Sequence, residues 1–145
     1  EKTKETDPGL TLTHPNSKIL LVEDNRVNLV FAQGVLKKLG CKVTTANTGR
    51  EAVQLYADQV FDMILMDGQM PEMDGFEAAR IIREMDLEQG GYTPIVALTA
   101  HAMTGDRKKL LDAGMDDYLS KPFTPGQLVN VMNSNFNRKK KPTGV

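Results

Sequence analysis

Between residues 18 and 136, short apolar runs alternate five times with longer segments of helical spacing, and no other feature of the chain narrows its fold as far. Ile19-Leu20-Leu21-Val22 opens the series and is followed by Glu23 and Asp24. A helix over about 26–39 places Val27, Val30, Phe31, Val35 and Leu39 at helical spacing, with Gly40 as its stop. Lys42 to Ala46 alternates weakly, and residues 49–57 carry Ala52, Val53 and Tyr56 on one face. Met63-Ile64-Leu65-Met66 ends in Asp67, and a helix follows over 75–86, with Phe76, Ala79, Ile82 and Met85, before a Gly90-Gly91 break. Ile95-Val96-Ala97-Leu98 ends in Thr99. A shorter helical stretch near 104–113, a brief strand at 117–120, Lys121-Pro122 and a helix over 124–136 complete the pattern, the last placing Leu128, Val131, Met132 and Phe136 on one face.

Five strand-and-helix units in succession specify an α/β fold, (βα)5, with a parallel sheet covered by helices. Strands buried on both faces read as continuous apolar runs, whereas edge strands are more mixed. The first, third and fourth runs are continuous and the second and fifth are mixed. This places two and five at the edges and fits the doubly wound strand order 2-1-3-4-5, whose ligand crevice lies beyond the carboxyl ends of strands one and three. Residues 1–17, polar and carrying Pro8, Gly9 and Pro15, read as a linker or disordered arm, and 137–145 as a basic disordered tail. The domain is expected over 18–136.

Composition excludes several classes. The 145 residues suffice for one core but not for two ordinary domains. Hydrophobic residues at 40% and charged residues at 26% rule out a disordered or low-complexity chain. The net charge of −1 divides into −1 for residues 1–17, −4 for 18–137 and +4 for 138–141. An acidic domain with a short basic tail has no electrostatic footprint for nucleic acid or a membrane surface. The one cysteine, Cys41, can form neither an internal disulfide nor a cysteine-based zinc site, so a reducing, cytoplasmic setting is expected. No apolar run reaches the roughly 18–20 residues of a membrane span. A chain opening on Glu1 rather than Met is expected to be a piece of a longer polypeptide.

The strand ends carry residues that a core does not need. Glu23 and Asp24 end the first strand, Asp67 the third and Thr99 the fourth, and Lys121 follows the fifth. In a parallel sheet these ends share one edge, so three carboxylates, a hydroxyl and an ammonium converge on one crevice. Clustered carboxylates repel one another unless they share a cation. With no thiolates available, and His14 and His101 placed elsewhere, the all-oxygen donor set points to Mg²⁺ or Mn²⁺ rather than zinc. A cation beside a lysine and a hydroxyl suits a phosphoryl group. Asp67 is then the nucleophile that forms an acyl phosphate, Lys121 its counter-charge and Thr99 a hydroxyl donor. Taken singly, each residue has an ordinary reading: Asp24 and Thr99 as caps, Asp74-Gly75 as a helix start, Lys121 as a solvated lysine, Tyr118 as an edge-strand aromatic, and the eight methionines as filler. Their placement at equivalent strand ends distinguishes the functional reading.

Four motifs in this order, ILLVEDN at 19–25, MDGQMPEMDG at 66–75, ALTA at 97–100 and YLSKPF at 118–123, resemble the receiver domain of two-component response regulators. That resemblance implies a flavodoxin-like fold and a phosphoacceptor, Asp67, which takes its phosphoryl group from a phosphohistidine on a kinase dimerisation domain or a histidine phosphotransfer domain. It implies Mg²⁺ held by Asp24 directly, Glu23 through water, Asp67, and the backbone carbonyl of Gln69. Gly68, Thr99, Ala100 and Lys121 are implied to bind the phosphoryl group, and the Lys121-Pro122 bond to be cis. Thr99 and Tyr118 are implied to switch together, with Tyr118 filling space that Thr99 vacates. Gly68 stands where many members carry a larger apolar residue, and Gln69 and His101 occupy the positions that tune hydrolysis of the acyl phosphate.

The wording ALTAHAM and DGQMPEMDG is most similar to receivers of hybrid sensor histidine kinases, with a stand-alone regulator or one cut from a regulator with an output domain as the second reading. A flavodoxin-like electron carrier needs a hydroxyl-rich phosphate loop where Glu23-Asp24 stands. An aspartate-nucleophile phosphatase of the dehalogenase type needs an acid where Gln69 stands. No G-x-G-x-x-G or Walker loop is present.

Overall fold

The computed structural model describes residues 11–68, 74–100 and 106–137. Its elements are β1 (Lys18–Val22), α1 (Arg26–Lys38), β2 (Lys42–Ala46), α2 (Gly49–Asp58), β3 (Met63–Asp67), α3 (Gly75–Gln89), β4 (Ile95–Thr99), α4 (Asp106–Asp112), β5 (Asp117–Ser120) and α5 (Pro125–Asn135). All four strand pairings are parallel and the sheet order is β2-β1-β3-β4-β5, the doubly wound arrangement that the apolar runs specify. Every residue of β3 and β4 is buried, whereas β2 and β5 at the edges are largely half-buried.

Side chains alternate across the sheet with the period of two that pleating imposes. Leu20, Ile64, Met66 and Ile95 point to one face, where Ala52 of α2, Ile82 of α3 and Leu110 of α4 meet them. Ile19, Leu21, Leu65 and Val96 point to the other, covered by Leu36 of α1 and Leu128 of α5. Local chemistry fixes where the helices begin. Asn25, Thr48 and Asp74 each accept a hydrogen bond from the backbone N–H three residues on, at 3.0, 3.1 and 2.9 Å. Thr124 and Gln127 form a reciprocal capping box ahead of α5, with Pro125 in its first turn. Gly90 ends α3 in the left-handed conformation at φ 82°, which the Gly90-Gly91 break anticipates.

Two expectations are corrected. The apolar stripe of α1 divides: Val27, Val30 and Phe31 are 77%, 55% and 45% exposed, while Val35 and Leu39 pack against the core beside the buried Ala32 and Leu36. Residues 11–17, expected within the arm, pack on the domain. Leu12 is buried in the same cluster as Ile19 and Leu128. Residues 1–10 and 138–145, the rest of the expected arm and most of the tail, lie outside the described residues. No helix among the described residues is long and apolar enough to cross a membrane.

Candidate active site

Glu23 leaves the end of β1 nearly fully buried, at 2% exposure, while the adjacent Asp24 is exposed. Asp67 closes β3 and Thr99 closes β4, both buried. Lys121 follows β5, its N–H donating to the carbonyl of Thr99 at 2.8 Å, and the Lys121–Pro122 peptide is cis. The ammonium of Lys121 lies 2.9 Å from Glu23 Oε1 and 3.5 Å from Asp67 Oδ2. Burying the Glu23 carboxylate is costly without such partners. The lysine supplies one, and the N–H of Asn25 another at 3.2 Å from Oε2.

One carboxylate oxygen from each of Glu23, Asp24 and Asp67 lies within 4.8 Å of the others. With one ammonium against three carboxylates, the cluster keeps a formal charge of −2. A divalent cation neutralises it. Mg²⁺ takes oxygen ligands at about 2.0–2.1 Å and keeps several of its waters, so carboxylate oxygens gathered this closely would hold it directly or through water. The donor set therefore fits Mg²⁺. Gln69 and His101 lie outside the described residues.

Gly68 is buried and Ala100 exposed, at the mouths of β3 and β4. The Phe76 ring stands over Gly68, 3.6 Å from where a Cβ would lie, an ordinary van der Waals contact. Tyr118 pairs in register with Ala97, two residues before Thr99, so Tyr118 and Thr99 share the sheet face covered by α2, α3 and α4.

Gly75, read from sequence as no more than a helix start, is a close-approach residue that sequence reasoning missed. A Cβ there would stand 2.4 Å from the carbonyl oxygen of Asp67, and its N–H reaches the Gly68 carbonyl at 3.3 Å. The first turn of α3 thus abuts the acceptor's own peptide. The rim was missed as well. Val27 and Phe31 of α1, with Phe123 after β5, line a cavity of about 290 Å³ that also reaches Glu23 and Lys121. The Phe31 and Phe123 rings stand 5.7 Å apart.

Residues 19–133 match the family model described as the response regulator receiver domain. The chain belongs to that family. The receiver is 43% identical over 122 residues to hybrid signal transduction histidine kinase I of Dictyostelium discoideum, a match covering 81% of this chain and 7% of that protein. The chain therefore spans a small part of such a relative's length. Among solved structures it is similar to the receiver domain of sensor histidine kinase PA1611 from Pseudomonas aeruginosa PAO1, with 41% identity, a TM-score of 0.78, and 85% and 99% of the two chains covered. That structure has a magnesium ion coordinated in its active-site cleft. The receiver domain of Saccharomyces cerevisiae Ssk1, solved in complex with the histidine phosphotransfer protein Ypd1, is 33% identical at a TM-score of 0.76, covering 81% of this chain and 87% of that one.

Proposed function

We propose that this receiver is a Mg²⁺-dependent phosphoacceptor in a two-component relay, taking a phosphoryl group from a phosphohistidine onto Asp67. The observation that carries the reading is the Glu23, Asp24 and Asp67 oxygen cluster with the Lys121 ammonium set between two of its members. An Asp67 carboxylate oxygen attacks phosphorus, the P–N bond of the donor breaks, its electron pair returns to the imidazole nitrogen, and an acyl phosphate remains. Glu23, Asp24 and Asp67 would hold Mg²⁺, with the Gln69 carbonyl as the fourth ligand that the resemblance implies, and the ion would neutralise charge gathering on the phosphoryl oxygens. Lys121 moves its charge from Glu23 toward those oxygens, and Thr99, Gly68 and Ala100 offer a hydroxyl and backbone N–H groups. Thr99 and Tyr118, on one sheet face, are the pair through which occupancy alters the surface around α4, β5 and α5.

A protein that delivers the phosphoryl group has to cover the rim of this cleft, where Val27, Val30 and Phe31 lie exposed. That stripe supports docking of a phosphohistidine-bearing helix bundle, either a phosphotransfer domain or a kinase dimerisation domain. Similarity to kinase receivers supports an origin in a hybrid sensor histidine kinase working in the cytoplasm.

The test is intact mass after incubation with acetyl phosphate. A phosphoryl adduct that needs Mg²⁺, and is absent from Asp67→Asn, is expected. An equal adduct on Asp67→Asn would overturn the assignment.

A further inference from the structure

The segment before β1 is built onto the domain at one place. The Asn133 side chain of α5 accepts from the Thr13 N–H at 2.9 Å through Oδ1 and donates to the Thr11 carbonyl at 3.1 Å through Nδ2. These two bonds hold the main chain on either side of Leu12, whose side chain is buried in the core cluster that includes Leu128 and Met132 of α5. The His14 ring packs on Phe136 with centroids 4.7 Å apart. The chain then turns, with the Ser17 hydroxyl donating to the His14 carbonyl, and enters β1 as the Lys18 N–H bonds Asp62 at 2.8 Å.

This attachment sits at the far ends of two elements whose near ends form the cleft. β1, five residues and about 16 Å long, runs from Lys18 to Val22, just before Glu23 and Asp24. α5, eleven residues and about 16 Å long, begins four residues after Lys121. The segment therefore ties together the foot of the strand that presents two of the three acids and the foot of the helix that follows the lysine.

We infer that residues 11–17 are a strap of the receiver, docked on α5 through Leu12, Asn133 and Phe136, and coupled through β1 and α5 to Mg²⁺ at the acid cluster. The coupling uses the metal reading and not the phosphoryl transfer. By linkage, the factor by which Mg²⁺ tightens the strap equals the factor by which the docked strap tightens Mg²⁺. A factor of about five is expected, at the lower end of such couplings.

The experiment is amide hydrogen exchange at Thr13 in the full chain, with and without saturating MgCl₂, beside an NMR titration of Mg²⁺. Thr13 should exchange far more slowly than an unstructured amide, and about fivefold more slowly again with Mg²⁺. Asn133→Ala, and separately Leu12→Ser, should abolish the Thr13 protection, leave the circular dichroism of the domain unchanged and weaken Mg²⁺ about fivefold. An unprotected Thr13 amide in the unaltered chain overturns the strap. Protection that Mg²⁺ does not change, with equal Mg²⁺ affinity in both variants, overturns the coupling. A strap that responds to Mg²⁺ on a chain that never forms an Asp67 adduct would uphold this inference and refute the phosphoacceptor reading.

Discussion

Replacing Gly75 with alanine puts the first turn of α3 in conflict with the acceptor. The added Cβ would stand 2.4 Å from the Asp67 carbonyl oxygen and 3.0 Å from the Gly68 Cα, both backbone atoms with no side-chain rotation to relieve them. Cβ atoms essentially never come within 3.0 Å of such neighbours, so the peptide or the helix start has to move by at least about 0.6 Å. Overpacking of this kind costs about 1–3 kcal/mol, against a gain of about 0.5–1 kcal/mol from replacing glycine in a helix. A net loss of up to about 2.5 kcal/mol is expected in urea unfolding. The larger effect falls on chemistry, because a 1 Å misplacement of a reacting group costs about 100-fold, and a drop of about 10- to 100-fold in the phosphorylation rate at saturating Mg²⁺ follows. Intact mass against time with acetyl phosphate reads that rate. Gly34→Ala in α1, where nothing lies within 4 Å, is the control and should gain about 0.5–1 kcal/mol at an unchanged rate. If Gly75→Ala matches the control in both stability and rate, the close-approach reasoning is wrong.

Phe31→Ser on the exposed stripe of α1 should leave the rate from acetyl phosphate unchanged, because no protein docks, and slow transfer from a phosphorylated histidine phosphotransfer protein about tenfold; equal transfer rates would remove α1 from the interface. Burial, then the hydrogen bond to Asp86, pushes the Tyr56 hydroxyl up to about 12. Because its folded value is raised, the stabilisation it brings is complete below pH 10 and is lost as the pH climbs toward 12. Urea midpoints should fall over that range in the unaltered chain and fall less in Tyr56→Phe; parallel curves would count against the shift. Arg83 bonds Asp86, Asp116, and the carbonyls of Gly114 and Thr93 at 2.7–2.9 Å, and its guanidinium lies 3.9 Å from the Tyr92 ring centroid. Arg83→Ala should cost about 3 kcal/mol and Arg83→Lys should recover little of it, since an ammonium cannot reproduce the planar fork; full recovery by lysine would reduce the network to simple charge.

The strand order was legible because burial on two faces and burial on one leave different patterns, as the unbroken Met63-Ile64-Leu65-Met66 and the mixed Lys42 to Ala46 show. Asp67, Thr99, Glu23 and Asp24 were legible because a parallel sheet sends all its strand ends to one edge. The orientation of α1 was not. Val27, Val30, Phe31, Val35 and Leu39 recur at helical spacing, yet only Val35 and Leu39 pack on the core, beside Ala32 and Leu36, and periodicity cannot tell which part of such a stripe meets the sheet. Leu12 was hidden for a different reason. It is one apolar side chain in a polar stretch, and the Asn133 that holds its backbone stands 120 residues from Thr13 along the chain. The Arg83 network likewise joins residues 31 and 33 positions apart, at Gly114 and Asp116, that no local spacing announces.

Borohydride reduction of the Mg²⁺- and acetyl phosphate-treated chain, followed by peptide mass mapping, tests the central claim most directly, because hydride converts an aspartyl phosphate to homoserine and marks the carboxylate that held it. The account predicts homoserine at residue 67, in Mg²⁺-dependent yield, and at no other acid. Homoserine at Asp24 or Asp74 in place of Asp67, or no conversion in a folded chain saturated with Mg²⁺, would contradict it.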